Sequence, residues 1–119
     1  MAKILITDDS TFMRNMIKMI LEPKGYTFCE ASNGNEMLKV YEEEKPDMVT
    51  LDITMPEMDG IEALRLLREK HPNSKVVMCS AMGQQAMVVE AVQYGAKDFL
   101  VKPFEIKHVY ETIERVLKS

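Results

Sequence analysis

Two adjacent acidic residues, Asp8 and Asp9, directly follow an apolar run at residues 4–6. Neighbouring carboxylates repel each other when both are ionised, and burial strengthens that repulsion. An acidic pair at the end of a buried segment is therefore costly unless a cation joins it. Oxygen ligands suit Mg²⁺, which binds one or two carboxylates and a phosphate while it keeps several waters. The pair predicts a site for a hard divalent cation.

Three further polar residues, Asp52, Ser80 and Lys102, stand at the ends of other apolar runs. An ammonium group and a hydroxyl suit a phosphoryl group in transfer, by charge and by hydrogen bonding. A carboxylate can accept such a group, and Asp52 is the candidate because it stands alone after its run. Each residue by itself is also typical of a helix cap, a turn or a solvated charge. All of them together favour a site for phosphoryl transfer.

The elements that position these residues are short apolar runs, which alternate with helical patterns. The predicted strands cover residues 3–7, 26–31, 47–51, 75–80 and 97–101. Apolar residues at three- and four-residue spacing predict helices that begin after Ser10 and near residues 35, 60, 83 and 106. This alternation predicts an α/β fold with a parallel sheet and right-handed crossovers. Ligands bind such a sheet outside the carboxyl ends of its strands, where the polar residues are expected to meet.

Length and composition favour a single domain of 119 residues with a formal net charge of −4. The chain carries 15 basic and 19 acidic residues without a dense basic stripe, so nucleic acid is not the expected partner. No apolar run is long enough to span a membrane, and the N-terminus has no signal-peptide pattern. We therefore expect a cytoplasmic protein with no membrane insertion.

Four sequence motifs carry a resemblance to a known family. They are DDS at 8–10, LDITMPEMDG at 51–60, CSAMG at 79–83 and AKDFLVKPF at 96–104. With them the chain resembles the receiver domain of two-component response regulators over essentially its whole length, and it is most similar to the short single-domain receivers of chemotaxis. The resemblance implies a flavodoxin-like, doubly wound sheet of five parallel strands in order 2-1-3-4-5 with five helices. It also implies one receiver domain over residues 1–119 with no output domain after it.

The resemblance assigns a role to each candidate site residue. Asp52 is expected to accept the phosphoryl group from a phosphohistidine of a sensor kinase. One Mg²⁺, for which Mn²⁺ can substitute, is expected to bind Asp8, Asp9, the Asp52 carboxylate and the backbone carbonyl of Thr54. Such a protein assists its own phosphorylation and dephosphorylation, and it is not a classical enzyme.

The same resemblance implies a switch that responds to phosphorylation. Ser80 is expected to hydrogen-bond the phosphoryl group and Lys102 to pair with it, and the bond from Lys102 to Pro103 is expected to be cis. Phe99 occupies the aromatic switch position, where these receivers often have Tyr. Since Phe has no hydroxyl, only packing and cavity shape can drive its movement.

The output is expected on the face formed by helix 4, strand 5 and helix 5. Helix 4 is almost continuously apolar between residues 86 and 92, more than one covered face requires, and exposed apolar surface suggests a partner. By position we select Gln85, Val88, Val92 and Phe99, with packing against helix 5 as the alternative. The expected partners of a monomeric receiver are a chemotaxis-type histidine kinase, a phosphatase, and a motor switch protein or archaeal adaptor that controls flagellar or archaellar rotation.

Two other classes of protein share this architecture, but each needs residues that this chain lacks. A flavodoxin-type FMN carrier needs a phosphate loop rich in Ser, Thr and Gly, where this chain has Asp8 and Asp9. A dehalogenase-type phosphatase usually has a second Asp at the position of Thr54. Within the receiver family, a phosphorelay intermediate or a phosphate sink is the open alternative to control of a motor.

The implied strand order also bears on the two cysteines, Cys29 and Cys79. They would lie on strands 2 and 4, three strand spacings or roughly 14 Å apart. A disulfide needs Cα atoms within about 7 Å, so we expect none within the monomer.

Overall fold

A computed structural model describes residues 2–119 as a five-stranded parallel sheet in the order β2-β1-β3-β4-β5. The predicted fold class and strand order are confirmed. The strands are β1 (Lys3–Thr7), β2 (Thr27–Ala31), β3 (Met48–Asp52), β4 (Val76–Ser80) and β5 (Asp98–Val101). The helices are α1 (Thr11–Leu21), α2 (Gly34–Glu44), α3 (Gly60–Lys70), α4 (Gln85–Gln93) and α5 (Ile106–Lys118), with a 3₁₀ turn at Glu22–Lys24 after α1.

Polar side chains begin three of the helices next to the carboxyl ends of the strands. Ser10, Asn33 and Asp59 each accept a hydrogen bond from the backbone N–H three residues further on. These N-caps satisfy backbone donors that the first helical turn leaves without partners. The connections that lead into α1, α2 and α3 are therefore anchored close to the edge of the sheet where the candidate site lies.

The core lies in two layers because the central strands are buried on both faces. Leu5 of β1 and Leu51 of β3 pack with α2, α3 and α4, whereas Ile4, Ile6 and Met48 pack with α1 and α5. Side chains of one strand alternate between the two layers, as the geometry of a strand requires. This two-sided burial explains why the strand sequences read as continuous apolar runs.

Element boundaries differ from the prediction by one or two residues. The third strand continues through Asp52, because the backbone of this residue still pairs with Cys79 of β4. Helix α4 begins at Gln85 instead of residue 83, since Gly83 has φ of +90°, which is outside the helical region.

Both cysteines are free, as predicted, with Cys29 partly exposed on β2 and Cys79 buried on β4. In the part of the chain that the structure describes, no helix combines the length and apolar character needed to cross a membrane.

Candidate functional site

Three carboxylates meet at the carboxyl edge of the sheet. Strands β1 and β3 are neighbours, so Asp8, which follows β1, lies beside Asp52, which ends β3. One carboxylate oxygen from each of Asp8, Asp9 and Asp52 lies within 4.8 Å of the others. Asp8 is 1% exposed and Asp52 is 6% exposed, whereas Asp9 faces solvent. The sequence prediction that these residues converge is confirmed.

Lys102 supplies the positive charge at this cluster. Its Nζ atom lies 3.2 Å from Oδ2 of Asp8 and 3.2 Å from Oδ1 of Asp52. The backbone N–H of Lys102 donates to the carbonyl oxygen of Ser80 at 2.8 Å, which joins the end of β5 to the end of β4. The bond from Lys102 to Pro103 is cis, as predicted. One lysine therefore reaches from the edge strand to both buried carboxylates.

The electrostatics of the site depend on burial and on mutual charge. Burial raises the pKa of the Asp52 carboxyl above its ordinary range, the charge of Asp8 adds to this increase, and Lys102 opposes it. For Lys102, burial favours the neutral amine, but the charges of Asp52 and Asp8 outweigh burial and raise its pKa. The lysine is therefore a cation at neutral pH, and its ammonium group contacts two of the three acids, Asp8 and Asp52.

The surroundings of these residues fit a bound Mg²⁺. In the described residues no group donates a hydrogen bond to Oδ2 of Asp52 or to the carboxylate of Asp9. These donor-free oxygens of Asp52 and Asp9 lie in one cluster with the carboxylate of Asp8, and such oxygen ligands suit a hard divalent cation. Ser80 ends the adjacent strand β4 and is 2% exposed, so its hydroxyl belongs to the same edge of the sheet.

A glycine shapes the loop that follows Asp52. The N–H of Gly60 donates to the carbonyl oxygen of Ile53 at 2.6 Å, which folds the loop from residue 53 to 59 back onto the end of β3. A Cβ atom at Gly60 would lie 2.8 Å from Cα of Ile53 and closer still to the carbonyl oxygen of Asp52. Only glycine permits this close approach of the loop to the end of β3.

Sequence reasoning missed two residues that shape the site. Arg14 donates to the backbone carbonyl of Asp8 at 2.6 Å and pairs with Glu30 of β2 at 3.0 Å, so it anchors the turn that carries the acidic pair. Gln84 bridges two loops, to Thr54 and to Ala81. Neither residue lies in a motif of charged residues, and only their three-dimensional contacts distinguish them from solvated surface residues.

The predicted partner face needs one correction. Gln85, Val92 and Phe99 are exposed, the latter two at 52% and 38%, but Val88 is 9% exposed and belongs to the core. On α4, Val88 and Ala91 turn toward the sheet, while Met87, Val89 and Val92 face outward. Val88 therefore forms the floor of a groove of about 430 Å³ between α4 and β5, which Phe99 borders.

Comparisons with known proteins agree with this geometry. The family model of the response regulator receiver domain matches residues 4–114. The chain belongs to the receiver domain family. The receiver is 57% identical over 119 residues to the chemotaxis protein CheY of Listeria monocytogenes, covering 99% of this chain and 100% of that relative. It is 53% identical over 117 residues to the chemotaxis protein CheY of Thermotoga maritima, covering 98% of each.

Solved structures give the same result for the fold. The receiver superposes on the crystal structure of the receiver domain of NtrX from Brucella abortus with a TM-score of 0.94 and 31% sequence identity, over 98% of each chain. The match extends over the whole sheet and its helices, which supports the flavodoxin-like architecture.

Proposed function

We propose that this receiver is a chemotaxis response regulator that accepts a phosphoryl group on Asp52 from a phosphohistidine of a histidine kinase. The observation that carries the proposal is the position of Lys102 Nζ, 3.2 Å from carboxylate oxygens of both Asp8 and Asp52 within the acidic cluster. A fixed cation beside a buried carboxylate is suited to a phosphoryl group, whose charge it stabilises. The protein acts as a phosphoacceptor and not as a classical enzyme.

The two oxygens of Asp52 have different surroundings. Lys102 donates to Oδ1 of Asp52, and Oδ2 receives no donor from residues 2–119. With Mg²⁺ on one carboxylate oxygen of Asp52, the other oxygen would attack phosphorus. A new bond forms between this oxygen and phosphorus while the bond from phosphorus to the histidine nitrogen breaks, and the imidazole leaves. Lys102 then pairs with the phosphoryl oxygens, and the Ser80 hydroxyl at the next strand end hydrogen-bonds to them.

Asp8, Asp9, Asp52 and the backbone carbonyl of Thr54 are the groups that would hold Mg²⁺. The bound ion would neutralise the charge of the carboxylates and of the phosphoryl oxygens. Arg14 positions Asp8 through its backbone carbonyl, and the N–H of Ser10 donates to Oδ1 of Asp8 at 2.9 Å. The acid is thus held in one orientation before any ligand binds.

The proposed output is a change in the α4–β5–α5 face. Phosphorylation would favour one of two conformations of Phe99 and of the groove beside α4, and a partner that binds this conformation would shift the same equilibrium. Support comes from the exposed apolar residues of α4 and from relatives that are named chemotaxis proteins. The proposed target is a motor switch protein or archaeal adaptor, and the proposed location is the cytoplasm.

The test is transfer from a phosphorylated histidine kinase of the chemotaxis type, followed by NMR of the receiver. Label should pass to wild type in Mg²⁺ and not to Asp52→Asn. Resonances of Phe99 and Val92 should shift when beryllofluoride and Mg²⁺ are added to wild type. Shifts confined to the loops around Asp52 would contradict an output through the α4–β5–α5 face.

A further inference from the structure

The side chain of Gln84 joins two loops at the carboxyl edge of the sheet. Its amide nitrogen donates to the hydroxyl oxygen of Thr54 at 2.8 Å. Its carbonyl oxygen accepts from the backbone N–H of Ala81 at 2.7 Å. Gln84 immediately precedes α4, Ala81 immediately follows β4, and Thr54 lies in the loop between β3 and α3. One amide group therefore connects the β4–α4 loop to the β3–α3 loop.

This bridge begins and ends beside the acceptor site. Strands β3 and β4 are neighbours, with Asp52 paired to Cys79 and Ser80 next in the chain. Thr54 follows Asp52 by two residues, and Ala81 follows Ser80 by one residue. The Gln84 side chain thus spans the gap between the two loops that leave the acceptor carboxylate and the candidate hydroxyl.

Packing does little to hold the β4–α4 loop in place. Met82 is 80% exposed, and a Cβ atom at Gly83 would meet no atom within 4 Å. Gly83 adopts a positive φ of +90°, and no side chain packs against it to hold this turn in place. The hydrogen bond from Gln84 to Thr54 consequently fastens this loop to the opposite one, and the hydrogen bond from Ala81 holds the Gln84 side chain in place within its own loop.

We infer that Gln84 is a positioning residue that holds the two loops together and thereby slows hydrolysis of phosphorylated Asp52. The inference rests on the proposed function. In hydrolysis, water oxygen bonds to phosphorus, the bond from phosphorus to the Asp52 oxygen breaks, and inorganic phosphate leaves with the protons of water. The attacking water must approach in line with the breaking bond, on the side away from Asp52. Loops joined by Gln84 restrict that approach.

The test is the lifetime of the phosphorylated receiver. Wild type, Gln84→Ala and Gln84→Met are phosphorylated with acetyl phosphate and Mg²⁺, the donor is removed, and intact mass follows the loss of the phosphoryl group. Both variants should lose it roughly three- to ten-fold faster, the effect of about one lost hydrogen bond. The methionine of Gln84→Met is nearly as long as glutamine but cannot form these hydrogen bonds. This variant therefore distinguishes the effect of the hydrogen bonds from the effect of side-chain size. Gln93→Ala, at the exposed end of α4, is the matched control and should keep the wild-type lifetime.

A double-mutant cycle tests whether Gln84 acts through Thr54. Thr54→Val should shorten the lifetime, and the double variant with Gln84→Ala should decay no faster than the faster single variant. The Mg²⁺-induced rise in melting temperature should stay at the wild-type value in Gln84→Ala, which a general loss of site structure would not permit.

Three results would overturn the inference. They are a wild-type or longer lifetime in Gln84→Ala, a wild-type lifetime in Gln84→Met, and additive effects in the cycle. If wild type itself gains no phosphoryl group, the proposed function fails and the inference falls with it. If wild type is phosphorylated and Gln84→Ala decays at the wild-type rate, the inference alone fails.

Discussion

The Nζ atom of Lys102 lies 3.2 Å from Oδ1 of Asp52, although 50 residues separate the two in the chain. The lysine follows β5 at the edge of the sheet, and the aspartate ends β3 two strands away. Only a long side chain that crosses the end of β4 can make this contact. The same ammonium group also reaches Asp8, so both buried acids depend on one cation.

Replacing Lys102 should therefore lower the free energy of unfolding and increase the stabilisation that Mg²⁺ provides. In Lys102→Ala the acids repel each other without a counter-charge, and the free energy of unfolding in chelator at neutral pH should fall by about 1–3 kcal/mol. Mg²⁺ should still bind and should raise the melting temperature more than in wild type. Thermal melting with chelator and with Mg²⁺ measures both effects.

Lys107→Ala on the exposed surface of α5 is the control for Lys102→Ala. It should melt as wild type does under both conditions. Lys102→Ala should also lose the response of Phe99 to beryllofluoride. A normal response there would show that Lys102 is not the phosphate partner.

Asp52→Asn should stabilise the protein when metal is absent. The pKa of Asp52 is raised by burial and by Asp8, so its ionised form destabilises the folded state. For an acid with a raised pKa, this penalty is absent below the ordinary aspartate pKa of about 4, grows as pH rises through the raised pKa, and is complete above it. Asp52→Asn in chelator should melt above wild type at pH 7, and the difference should shrink as pH falls toward about 4.

Asp59→Asn is the matched control for that pH series, because asparagine also caps a helix. Its difference from wild type at pH 7 should be small. A melting temperature of Asp52→Asn below wild type at pH 7 would mean that the contact with Lys102 outweighs the cost of burying the carboxylate.

Gly60 should tolerate no side chain. Because a Cβ atom there would collide with the backbone of Asp52 and Ile53, Gly60→Ala should lower the free energy of unfolding by about 2 kcal/mol or more. Gly34→Ala is the matched comparison, since its nearest neighbour would be the flexible end of Met58, with Sδ at 2.7 Å. Urea denaturation should show a smaller loss of stability for Gly34→Ala than for Gly60→Ala, because the Met58 side chain can move and backbone cannot. Equal effects of the two substitutions would contradict the close backbone approach.

The two thiols should differ in reactivity. Burial raises the pKa of Cys79 to about 12, and its side chain is 1% exposed, so its thiolate is absent at pH 8. Iodoacetamide should modify the folded protein at Cys29 alone and should modify both cysteines in denaturant. Peptide mapping after alkylation measures this, and rapid modification of Cys79 in the folded protein would show that β4 opens to solvent.

Much of the fold and of the acidic site could be predicted from the sequence, because burial on both faces leaves continuous apolar runs. The end of each run locates Asp8, Asp52, Ser80 and Lys102, and parallel strands bring those ends to one edge. The exact strand ends could not be predicted, since backbone pairing continues through the acidic residue of β3.

The residues that sequence reasoning missed depend on loops and on packing direction. Gln84 and Arg14 are typical surface residues in sequence, and their roles follow from loops whose conformation no periodic pattern specifies. On α4, Val88 and Val92 look equivalent because nearly every position is apolar, so the pattern cannot tell which side meets the sheet. The structure buries Val88 and exposes Val92.

The measurement that tests the central claim most directly is the intact mass of the receiver after incubation with acetyl phosphate and Mg²⁺. Wild type is compared with Asp52→Asn and with wild type in chelator. A gain of one phosphoryl group by wild type, only when metal is present, and no gain by Asp52→Asn is the expected result. Equal gain by Asp52→Asn, or gain by wild type in chelator, would contradict Asp52 as the metal-dependent phosphoacceptor.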